Sequence, residues 1–494
     1  MSIFAAAFVI VFSLFAIVLP WAGVFAYYIF SVMQMQDHFP HDFGESRVSL
    51  IFTGATIIGL AGASALKLVD WRVLLNPYSF MMMLLMLLVN LSVDFTSYVA
   101  YIDPTIDKRV TLSNEEVLET FNKTVVFFFI ACVIINTRKK LEWCIYVLAF
   151  ILLYYSYWAN KVYLTGEFWL FGDNGRLGGP LNSNYFDENY LAMLYVLATP
   201  VLYYIAMARS NFFLRYGILL TIPLTWHALF LTGSRGGLLS LGVVMVYLFF
   251  RSFSKLNSIA MVVGLALAIA TQSGHLLTRI DQTVETSEQL AELEETEEAL
   301  DPRLISWGVA FKIMQTYPMF GVGVGNFMEA FPEFSRTRPH VAHNTFFQFS
   351  ANCGVFAGLI YLWFFAVRLP TLKRSVKIHG RDTFPRGFKR DYLDDLLNSL
   401  FLGFFVVAIF LDLMIYEIMY FILMLGFVKY TLDRATEPKR RSLIDSIYRL
   451  GQNSSRRHSD DEEKKDAEDQ AQEDSSDDDP TRDPELDGRS RSTV

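Results

Sequence analysis

The chain has 494 residues, 53% of them hydrophobic and only 19% charged, with a formal net charge of −8. Runs of about 20 apolar residues are long enough to cross a bilayer, and their recurrence here excludes a soluble multidomain protein.

Twelve spans are predicted, near residues 3–33, 47–66, 74–92, 118–136, 140–158, 187–208, 212–231, 236–250, 257–273, 343–367, 396–411 and 414–430. They make an all-α, polytopic membrane domain over 1–450. The first run is too long for one span and too short for two, and Pro20 is expected to kink it, because proline removes a backbone donor and clashes with the preceding turn. The N-terminus is apolar from Ile3, with neither a basic leader nor a small-residue cleavage site. It reads as a retained span, not a signal peptide. Cys132, Cys144 and Cys353 lack the paired spacing of a disulfide framework or zinc site, and no metal site is expected. Asp412 favours a break between the last two spans.

Basic residues choose the side. Lys67 and Arg72, Arg138 to Lys140, Arg209 and Arg215, Arg251 and Lys255, and the basic loop 368–392 all fall on one face. By the positive-inside rule that face is cytoplasmic, and both termini lie there. The opposite face receives 34–46, 93–117, 159–186, the short turn Gly233–Gly237 and a large loop at 274–342. Within that loop the run Asp281–Asp301 reads as an exposed acidic helix bounded by Pro302, and its spacing lacks a calcium-loop pattern. The tail 451–494 has almost no apolar residues. From Ser459 onward it carries fifteen Asp and Glu against five Lys and Arg, so it is expected to be disordered and cytoplasmic.

Three arginines on the outer face break the charge pattern: Arg176 in Gly175-Arg176-Leu177-Gly178-Gly179-Pro180, Arg235 in Thr232-Gly233-Ser234-Arg235-Gly236-Gly237, and Arg303 after Pro302. A charge at membrane depth is expensive and is by default paired or functional. Arg235 sits in a turn too short to leave the membrane surface. It either snorkels from a helix end or offers its planar fork of donors to phosphate oxygens. Asn182, Asn184 and Asn189, with Asp187 and Glu188, add hydrogen-bonding groups of the kind that glycosyl hydroxyls need. Gly321-Val322-Gly323-Val324-Gly325 lacks the fingerprint spacing and the strand–turn–helix context of a nucleotide loop. It reads as a re-entry segment, and no nucleic acid partner is expected. His343-Asn344 ends the large outer loop at the mouth of an apolar segment. A histidine there is either a hydrogen-bonded structural group or a general base matched to neutral pH. His340 would make a metal pair only with a carboxylate partner, and none is near in sequence.

The order Thr232-Gly233-Ser234-Arg235-Gly236-Gly237, Arg303 through Trp307 to Pro318-Met319-Phe320-Gly321-Val322-Gly323, then His343-Asn344 with Gly354, resembles the O-antigen ligase and polymerase superfamily of bacterial inner-membrane glycosyltransferases. The recognisable motifs cover about residues 170–360. The ligase signature is matched except near its end, where Ala357 precedes Gly358, which leaves ligase and polymerase both open. The resemblance implies a transferase without cofactors that takes its glycan from undecaprenyl diphosphate at the periplasmic face. The acceptor would be lipid A core, a polysaccharide or a protein. It further implies that Arg235, Arg303 and Arg176 hold the diphosphate and that His343 activates the acceptor, with Asn344, Asn189 and Asp412 in support. The rival class is a small-anion transporter. It is disfavoured by the lack of an internal repeat and by the clustering of candidates at one face.

Overall fold

A computed structural model describes residues 2–43, 47–99, 113–172, 175–251, 259–266, 302–369 and 392–435. The acidic run 281–301, the tail 451–494 and most of the span at 257–273 and of the basic loop 368–392 lie outside the described residues. Among the described residues every regular element is helical, and the one β contact is an isolated bridge between Phe171 and Leu177. Among the described residues six helical stretches are long and apolar enough to cross a bilayer: Val48–Ala65, Pro77–Phe95, Asn114–Ile134, Arg138–Thr165, Glu188–Met207 and Phe212–Thr232, the last interrupted at Leu220.

Three expected spans are broken. The N-terminal run does more than kink. It forms two helices, Ile3–Val18 and Pro20–Met33, with Pro20 at the first helical position of the second. Ala5 and Val9 share a core cluster with Ala26 and Phe30, so the second helix folds back on the first. At about 1.5 Å per residue each is shorter than the hydrocarbon core. In the second case Leu220 separates Phe212–Leu219 from Thr221–Thr232, where Pro223 removes a backbone donor. The third break is at Gly354, between Thr345–Cys353 and Val355–Ala366. Gly354 has φ +94°, and a Cβ there would lie 2.0 Å from the Met319 carbonyl oxygen. Only glycine accepts both the backbone angle and that approach.

The central pillar is Glu188–Met207, in which every residue from Leu191 to Met207 is buried. A helix apolar all round belongs inside a bundle. It packs against Arg138–Thr165, Thr221–Thr232, Arg235–Arg251 and Tyr392–Ala408, and its N-terminal turn carries Asn189.

Arg235–Arg251 and Tyr392–Ala408 run antiparallel and are clamped at both ends. At one end buried Arg251 ion-pairs with buried Asp395. At the other, a Cβ on Gly236 would come within 3.2 Å of the Phe410 ring. Asp395→Ala would leave the Arg251 guanidinium buried without this partner, a loss of about 3–5 kcal/mol. The expected result is a clear drop in the thermal transition of the detergent-solubilised protein.

Residues 302–342 form a small cap. Val309, Ala310 and Ile313 of the Pro302–Thr316 helix bury themselves with Val322, Phe327, Phe331 and Ala342. Gly321 to Gly325 is part of this packing: Val322 N–H donates to Ala351 O (2.9 Å), and Thr96 Oγ1 donates to Gly321 O (2.7 Å). The segment is buried in protein, with Val322 and Val324 shielded from solvent, one of the two settings in which such irregular backbone is tolerated.

Candidate active site

The histidine side is built on a carboxylate. Residues 409–416 connect the Tyr392–Ala408 helix to a helix at 417–435, and Asp412 lies in this non-helical connection. Its Oδ2 accepts the His343 backbone N–H (3.2 Å) and its Oδ1 accepts that of Asn344 (3.1 Å). The Asn344 side chain accepts from Phe347 N–H (3.1 Å) and so caps the Thr345–Cys353 helix. Thr345 Oγ1 donates to Leu411 O (2.7 Å) and accepts from Leu413 N–H (3.2 Å). His343, half-buried, has φ +47°. A left-handed backbone costs a non-glycine residue about 1–3 kcal/mol and persists only where the surroundings impose it. Here the Asp412 carboxylate and the capped helix impose it.

Burial pushes the Asp412 carboxyl up to about 6, against the two N–H groups that favour its ionised form. The sign follows. Between about 4, the ordinary value, and about 6, the folded protein binds the extra proton, so this group's contribution to stability falls as pH rises. The grip on His343 and Asn344 changes in the opposite sense, because a protonated carboxyl keeps only one good acceptor. Lowering pH through about 6 is therefore expected to reduce activity while thermal stability holds or rises. Parallel pH profiles of rate and melting temperature check this.

The arginine side is built on Asn189. Its Oδ1 accepts from Arg176 NH2 (3.0 Å) and from Ser234 Oγ (2.8 Å). Arg176 Nε donates to Thr232 O (2.9 Å), and its NH1 ion-pairs with Glu188 Oε1 (2.5 Å). All three nitrogens of Arg176 are thus engaged. They tie the 175–177 loop to the end of Thr221–Thr232 and the start of Glu188–Met207. Ser234 Oγ also accepts from Gly237 N–H (3.2 Å), capping Arg235–Arg251. Arg235 opens that helix, exposed, with no ion pair or side-chain hydrogen bond among the described residues.

Phe410 and Tyr416 join the two sides. The Phe410 ring packs on Gly236, next to Arg235, while the Arg303 guanidinium lies over its face, 5.7 Å from the centroid. Two residues on is Asp412, which holds His343. Tyr416, at the far end of the same connection, stacks on Tyr190. His343 and Asn344 thus meet this short connection through Asp412 and Arg303 meets it through Phe410, while Arg235 and Asn189 are next in sequence to Gly236 and Tyr190, which touch it, and Arg176 joins through Asn189. The aromatic links were not singled out from sequence, because Phe410, Tyr190 and Tyr416 sit within or beside apolar runs and carry no charge signal. Among the described residues no cluster of three His, Cys, Asp or Glu residues could hold a metal ion.

The helices and this polar end define a multi-pass membrane protein. Residues 220–362 match the family model described as O-antigen ligase. This match supports the O-antigen ligase superfamily, the one that the sequence motifs resemble, and with it a glycosyltransferase-type activity. Arg235, Arg303, His343 and Asn344 lie inside the matched stretch, whereas Arg176, Asn189 and Asp412 are brought to it by the fold. No curated protein matches the chain.

Proposed function

We propose that the protein transfers a glycan from undecaprenyl diphosphate to an acceptor hydroxyl at the periplasmic face of a bacterial inner membrane, with both termini in the cytoplasm. The acceptor is lipid A core, a polysaccharide or a protein. His343 takes the proton from the acceptor hydroxyl as that oxygen attacks the anomeric carbon. The bond from that carbon to the diphosphate oxygen breaks, and the leaving diphosphate keeps the electron pair. Arg235 and Arg303 stabilise this growing charge, because fixed cations aimed at a leaving group act most strongly in the transition state. Attack from the face opposite the diphosphate inverts the anomeric centre. Arg176 holds the turn that presents Arg235.

The observation that carries this reading is the connection 409–416. Asp412 grips the backbone of His343 and Asn344 while Phe410, two residues before it, packs on Gly236 and lies under Arg303. A base and two cations around one short segment suit a reaction in which a proton leaves one side of a sugar and a diphosphate leaves the other. The test offers purified protein in detergent one undecaprenyl-linked donor with several acceptor classes. Transfer to one class, with no sealed compartment present, is expected. No transfer to any of them, together with anion uptake by sealed proteoliposomes that survives loss of His343, would make it a carrier instead.

A further inference from the structure

The protein carries an aromatic stack at the seam between its arginine and histidine sides. Tyr190 follows Asn189, the residue that receives Arg176 and Ser234. Tyr416 shares a segment with Asp412, the residue that grips His343. The two rings stack 4.7 Å apart and within 5° of parallel. Behind them lies Tyr185, fully buried, its ring 6.0 Å from that of Tyr416 and tilted by 58°. Tyr416 thus meets two tyrosine rings, the fully buried Tyr185 and Tyr190, on which it stacks. Both members of the pair are half-buried. Their positions are fixed by polar ties. Tyr416 Oη donates to Asn184 O (3.0 Å), and Asn184 N–H donates to Gln34 Oε1 (2.7 Å). The Tyr190 phenol lies beside Asp412.

From this geometry we infer that the Tyr190–Tyr416 pair is a platform for the sugar ring next to the diphosphate, and that it positions that ring for attack. The inference rests on the glycosyl-transfer reading and names the part of the donor that the stack takes. In such a transfer the sugar must lie between the cations that receive the diphosphate and the imidazole that activates the acceptor. The stack is anchored to both. An aromatic face carries negative charge density and an apolar surface, which suits the polarised C–H face of a pyranose. Neither ring contributes a proton or a charge, so these are positioning residues, not catalytic ones.

The test compares two lipids, an undecaprenyl diphosphate bearing its glycan and undecaprenyl diphosphate alone, binding to the full-length protein in nanodiscs. Tyr190→Leu is expected to weaken binding of the glycan-bearing lipid about tenfold and raise KM for the donor more than it lowers kcat. Its binding of the sugar-free lipid should be unchanged. Tyr190→Phe, which keeps the ring, should restore both values to near the parent's. Equal weakening for the two lipids would make the stack merely structural and overturn the platform, as would no change for either. If the parent binds neither lipid, the transfer reading fails and the platform falls with it; if the parent binds both and only the Leu variant behaves otherwise than stated, the platform alone fails.

Discussion

Replacing His343 with asparagine is expected to lower the rate of glycan transfer about 10²–10⁴-fold, the range for losing a positioned acid–base group, while donor binding and folding stay close to the parent's. Asparagine is the informative choice because of the backbone. His343 sits at φ +47°, and asparagine enters the left-handed region more readily than alanine. The Asp412 grip on the 343 and 344 N–H groups does not involve the ring. The substitution removes the imidazole and leaves the connection that presents it. Single-turnover kinetics with saturating donor, alongside a melting curve, separate a chemical defect from a folding one. An asparagine variant that turns over like the parent would remove His343 from the mechanism.

Arg235→Lys should cost about 10²–10³-fold in kcat/KM, comparable to removing one preorganised donor from a transition-state site. Lysine keeps the charge but lacks the planar fork that meets two phosphate oxygens at once. Arg235 is the sharpest of the three arginines to test, since it is exposed at a helix start and engaged by nothing among the described residues. Arg176 is spent on Thr232, Glu188 and Asn189, so its replacement would disturb the turn as well as the charge. Transfer assays across a donor concentration series, with a melting curve for each variant, measure the difference. A lysine variant with parental kcat/KM would mean that no bidentate phosphate contact is made at this position.

Much of the candidate site was legible in the sequence because its residues break sequence rules. Read by the positive-inside rule, the sequence puts Arg176, Arg235 and Arg303 on the face poor in cations, and His343 where a polar loop meets an apolar run. Charge in the wrong place is a local signal and needs no fold to be seen. Asp412 was visible for the same reason, as a carboxylate between two apolar runs, but its task was not, because its partners lie 68 and 69 residues away in sequence. Phe410 and Tyr416 gave no signal, since an aromatic residue near an apolar stretch reads as ordinary core or lipid-facing surface. The helical class followed from hydropathy, but the breaks within helices did not all follow. Pro20 announced itself. The break at Gly354 depends on the Met319 carbonyl, which approaches from the cap and leaves no room for a Cβ, and such a contact between distant segments is invisible to a hydropathy window.

In the proposed transfer, diphosphate is the group that leaves as the glycan moves. The direct measurement is the stoichiometry of lipid product in a reaction of purified protein, undecaprenyl-linked donor and acceptor, followed by mass spectrometry. One undecaprenyl diphosphate released for each glycan transferred is the expected result. Glycan transfer with undecaprenyl monophosphate as the lipid product, or with no lipid product, would contradict it.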